Sequence, residues 1–99
     1  MDVEKNFFEP FVGKAFDVVA DDLDEPLKLE LFKLDNVTFS GLATARKEPF
    51  SALFKGPRDR ILNSKIHKLV CEGTHFELML QVIIYPEISD GVVYEAIFN

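Results

Sequence analysis

Between residues 75 and 85 the side chains alternate without a break. Phe76, Leu78, Leu80, Val82 and Ile84 fall on one face, and His75, Glu77, Met79, Gln81, Ile83 and Tyr85 fall on the other. A period of two is the mark of a β-strand with one side against a core. Pro86 ends the run, since it cannot donate to a ladder. A strand this long needs neighbours that bury the same face, and the remaining segments must supply them.

Several do. In residues 49–57, Phe50, Ala52 and Phe54 point one way and Ser51, Leu53 and Lys55 the other, with Pro49 leading in and Gly56-Pro57 stopping the ladder. Residues 14–20 put Phe16 and Val18 inward. Residues 27–34 put Leu27, Leu29 and Leu31 inward, then break phase at Phe32-Lys33-Leu34, which predicts a bulge or a strand apolar on both faces. These two segments should pair as a hairpin around the acidic turn Asp21-Asp22-Leu23-Asp24-Glu25-Pro26. Residues 65–71 and 92–98 read as two more strands. Glu72-Gly73-Thr74 reads as a turn in which Gly73 supplies positive φ, while Ile66 with either Lys68 or Leu69 leaves the register of the preceding strand open. Residues 37–44 read as a short strand or extended loop.

Val3, Phe7, Phe8 and Phe11 share one helical face, and Asp2 can cap its start. Pro10 should end the helix near Glu9, leaving two turns to plug an apolar end of the sheet. No spacing fits a parallel crossover. The expected fold is mainly β: a six-stranded antiparallel barrel or compact sandwich with one short N-terminal helix, a single domain over residues 1–99.

Composition narrows function more by exclusion than by assignment. A net charge of −6 repels nucleic-acid phosphates and anionic lipid, so neither nucleic acid nor membrane is an expected partner. A single cysteine gives no internal disulfide, and no signal-like segment follows Met1, so a cytoplasmic location is expected. Ten phenylalanines and no tryptophan suit a dry interior or a dry interface.

The motif Pro49-Phe50-Ser51-x-Leu53-Phe54-x-Gly56-Pro57 occurs together with Phe7-x-x-x-Phe11-Val12-Gly13-x-x-Phe16, the segment 75–81, and the ending Tyr94-Glu95-Ala96-Ile97-Phe98-Asn99. In these the chain resembles, over nearly its whole length, a family of small bacterial proteins known only as a domain of unknown function. Those proteins share a PFSLxFxGP-like centre and a yEAVFN-like C-terminus. The resemblance implies no reaction and no cofactor. It implies an accessory or assembly role beside phage-tail-collar-like or microcystin-dependent-type proteins. This chain departs from the pattern at Asn63-Ser64-Lys65 and Val70-Cys71-Glu72-Gly73, where relatives carry other turns.

The residues that could carry chemistry are few. His67, Cys71 and His75 are the only soft metal ligands and the only Cys–His pairing, with Glu72 or Glu77 available as a fourth ligand, but their spacing matches no zinc motif and no glycine elbow accompanies Cys71. Asp21, Asp22, Asp24 and Glu25 lack the spacing of a calcium loop. Glu95 sits among apolar neighbours and must be paired, by Lys14, Arg46, Lys68 or Arg60, if it faces inward. Lys55, Arg58 and Arg60 bracket Gly56-Pro57 and are candidates to contact an anion or an acidic partner. Leu53, Met79, Ile83 and Tyr85 are apolar on faces that should point away from the core, and form a candidate interaction surface unless another part of the chain covers them. The expected function is therefore non-enzymatic. It is a protein-interaction or assembly domain working through an apolar sheet face or edge, on a protein partner or a second copy, without cofactor or metal. The alternative is a small-molecule-binding barrel with a Phe-lined pocket.

Overall fold

A computed structural model of the chain describes residues 5–19, 27–36 and 50–98. The acidic turn, residues 37–49 with Arg46, and the Asp2 cap lie outside the described residues. A short helix α1 (Lys5–Phe8) runs into a 3-10 turn (Glu9–Phe11). Pro10 falls in the first turn of the 3-10 segment, where its missing N–H is harmless. Six strands follow: β1 (Ala15–Val19), β2 (Leu27–Asn36), β3 (Phe50–Gly56), β4 (Lys65–Cys71), β5 (Thr74–Ile83) and β6 (Val92–Phe98). They close into an antiparallel barrel in the order β1-β2-β3-β6-β5-β4, with β4 returning to β1 through Asp17↔Val70, Val18↔Leu69 and Val19↔Lys68. Closure settles the choice between barrel and sandwich.

The inward residues are those the alternation marks on β1, β2 and β3. Phe16, Leu29, Leu31, Phe50 and Phe54 are fully buried, with Leu69, Leu80 and Tyr94 from the other strands. Their rings meet directly, Phe16 on Phe54 at 5.2 Å and Phe16 on Phe76 at 5.2 Å. The predicted bulge is present: Leu31 pairs Phe54 and Lys33 pairs Leu53, leaving Phe32 extra. That one additional residue lets both Leu31 and Leu34 join the core side.

Each end of the barrel is stopped by something other than a strand. At one end Phe8 is fully buried and touches Phe50, Phe76 and Phe98, with ring centroids 6.0, 5.5 and 5.3 Å away. This is the plug that the helical spacing predicts. It sits where the β5–β6 ladder, which covers only Gln81–Ile83 against Val93–Glu95, has come to an end. At the other end Leu62 closes the barrel. Its backbone N–H donates to the Tyr94 hydroxyl at 3.0 Å, and the next residue's carbonyl accepts from His67 Nε2 at 2.7 Å.

One expectation needs correction. Val82 and Ile84 do not enter the core: Val82 is half exposed and Ile84 is 93% exposed. The reason is the register, because Leu80 pairs Lys65, the first residue of β4, so β5 runs on past the core. The ladder stops at Gly56-Pro57, as expected, with Gly56 its last member, opposite Val92. A Cβ there would lie 2.6 Å from Leu29 Cδ2 and 3.1 Å from Tyr94 Cε1, so glycine is needed for close approach.

Candidate functional site

The three soft ligands are not brought together. The β4–β5 turn is Glu72-Gly73 alone, both at positive φ (50° and 80°), and Cys71 pairs Thr74. Such a two-residue turn matches the twist of a hairpin and fixes its register. Inward residues of β4 are consequently His67, Leu69 and Cys71, while His75 lies opposite Val70 on the outer face. Cys71 is buried, and burial pushes its thiol pKa up, with the neighbouring Glu72 charge adding to the effect. Among the described residues no group of three or more His, Cys, Asp or Glu is placed to hold a metal ion. Glu95 lies on the outer face, half-buried between Leu53 and Gln81, so it needs no inner partner.

Lys55 and Arg58 turn back on their own chain. Lys55 Nζ donates to Asp90 at 3.0 Å and Arg58 Nη1 to the Ser89 carbonyl at 3.3 Å. The Lys55 ammonium holds the Asp90 carboxyl below its ordinary pKa. Arg60 lies partly buried in the turn that follows, with contacts of its own. A shallow groove of about 280 Å³ runs between Lys28, Glu30, Lys55, Pro57 and Asp90. Its charges cancel, since Lys28 is occupied by Asp17 at 2.6 Å and Lys55 by Asp90.

The proposed apolar surface separates into a covered part and an open part. Leu53 is on the outer face as expected but only 2% exposed, so it is not available as a surface. Close by, the ring of the bulge residue Phe32 meets Tyr85 edge-on at 5.6 Å, and in barrel order the two stand on either side of β3 and β6, whose outward residues include Leu53 and Val93. Lys33, beside the bulge, reaches Asp35 at 3.4 Å and also Tyr85; these contacts, Asp35 first, hold its pKa above the ordinary lysine value. Ile83 and Tyr85 are correspondingly half-buried.

Met79 remains open. It lies directly opposite Ile66 on β4, and the two are 44% and 64% exposed. Ile97 of β6, on the same outer side of the barrel, is 45% exposed. Ile66 is the site residue that reading by residue type missed, because an isoleucine beside a histidine invites the assumption that isoleucine is the one inside.

No helix among the described residues is long and apolar enough to cross a membrane. Neither a curated protein nor a solved structure matches the chain. Residues 3–98 match the family model described as a domain of unknown function (DUF6916). The span matched takes in every strand of the barrel, its helical plug and the Ile66–Met79 pair, and the chain belongs to this DUF6916 family.

Proposed function

We propose that the barrel is a non-enzymatic protein-interaction module that presents the outer face of β4 and β5 to a protein partner. The observation that carries this reading is the exposed cross-strand pair Ile66–Met79. Cross-strand apolar neighbours on a solvent face gain nothing for the monomer's core, and they provide a dry contact for another chain. The buried, pKa-raised thiol of Cys71 and the attachment of His67 to the Asn63 carbonyl support a structural role for both residues. The ring contacts along the barrel axis favour this reading over a ligand-binding barrel. The resemblance to companions of phage-tail-like proteins suggests an assembly accessory, acting in the cytoplasm, with such a protein as its partner.

The test is a photo-crosslinking residue placed at position 79 in cells that produce the protein. Crosslinking to a protein partner is expected, and Ile66→Asp should abolish it while leaving the thermal midpoint unchanged. Undiminished crosslinking in the Ile66→Asp variant would overturn the reading.

A further inference from the structure

After Ile83 the chain leaves the barrel and returns to it at Val92. The intervening residues 84–91 cross over the outer face. Tyr85 meets Phe32, Ser89 accepts from Arg58, and Asp90 pairs with Lys55. At the far end Gly91 lies so close to β3 that a Cβ would come within 2.8 Å of the Gly56 carbonyl oxygen. On the strands beside it Leu53 and Val93 are buried although they point away from the barrel axis, and Val93 pairs Lys55, the residue that holds Asp90.

Two features separate this crossing from the barrel. Its polar anchors, Lys55–Asp90 and Arg58–Ser89, are exposed and open to screening by salt. Leu53 and Val93 are not members of the inward core cluster. The first residue of the crossing, Ile84, contributes almost no burial. A segment held by few buried contacts opens independently of the body it rests on.

We propose that residues 84–91 form a hinged strap that opens as a unit while the barrel stays folded, uncovering an outer apolar strip of Leu53, Val93 and Phe32. The outer surface then has two states, one with the strip covered and one with it open. This holds with or without a partner at Ile66–Met79.

The native Cys71 makes the test possible, because its thiol is buried in the inward core cluster of the barrel. Val93→Cys places a second thiol under the strap, and Leu53→Cys serves if that variant folds poorly. Labelling rates are measured for each thiol relative to the same thiol in denaturant. The strap thiol should react at least about tenfold faster than Cys71, as expected for local rather than global opening. Tyr85→Ala should accelerate it further and leave Cys71 unchanged. Equal rates for the two thiols would overturn the proposal. So would a fast strap thiol indifferent to Tyr85→Ala, since its exposure would then not depend on the strap.

Discussion

The Tyr94 hydroxyl accepts the backbone N–H of Leu62 at 3.0 Å inside the barrel mouth, tying a strand from the end of the chain to a loop 32 residues earlier. Burial holds the phenol above its ordinary pKa of 10.0. Tyr94→Phe keeps the ring but leaves the Leu62 N–H unsatisfied, and it should cost about 1–3 kcal/mol in urea denaturation. The sign of the pH effect follows from the raised pKa. Above pH 10.0 the unfolded chain releases the phenolic proton before the folded one does, so wild-type stability should fall as pH rises from there. Tyr94→Phe should flatten that fall.

Phe8 and Phe7 are adjacent in sequence but unequal in burial. Phe8 is fully buried against three rings, while Phe7 is half exposed. Phe8→Ala should destabilise by about 3–5 kcal/mol, in the range for deleting a buried ring, and Phe7→Ala by clearly less. Chemical denaturation of the two variants side by side checks this.

Gly56→Ala should be destabilising by about 1–3 kcal/mol, because the added methyl must displace a fully buried Leu29 and press on Tyr94. Trimming the neighbour as well, with Leu29→Val, should recover part of the loss. A double-mutant cycle measures the coupling.

The carboxyl of Asp90 should titrate below its ordinary value of 3.8 in the wild type, and Lys55→Met should bring it back up. The contribution of this pair is present above pH 3.8 and is lost as the pH falls through the lowered folded pKa. An NMR titration of the Asp90 side chain reads both values directly.

Facing was legible in the sequence wherever alternation was clean. Phe16 and Val18, then Leu27, Leu29 and Leu31, then Phe50, Ala52 and Phe54 all lie inside, and the phase break at Phe32 is a bulge. The first hairpin pairs as its spacing suggested. Alternation shows which side of a strand is dry but not which strand lies beside it, so the β1–β4 contact that distinguishes barrel from sandwich was invisible. The facing of β4 was recoverable. Counting back from Phe76 through a two-residue turn at Glu72-Gly73 puts Leu69 and His67 inside and Ile66 outside. Reading Thr74 as part of the turn discards that count. The Phe32–Tyr85 contact could not be read at all, because the two lie 53 positions apart in the sequence and are brought together only by barrel order.

The position of β6 also bears on how the molecule is made. It is the last of the six strands in sequence yet lies between β3 and β5, and β3 pairs with it along its whole length. During synthesis the first five strands can form local hairpins but cannot seal the interior. Until residues 92–98 clear the ribosome, Phe50 and Phe54 lack the neighbour that shields them. The nascent chain therefore carries this apolar surface until β6 has been made, and its vulnerability to aggregation should be greatest in that interval.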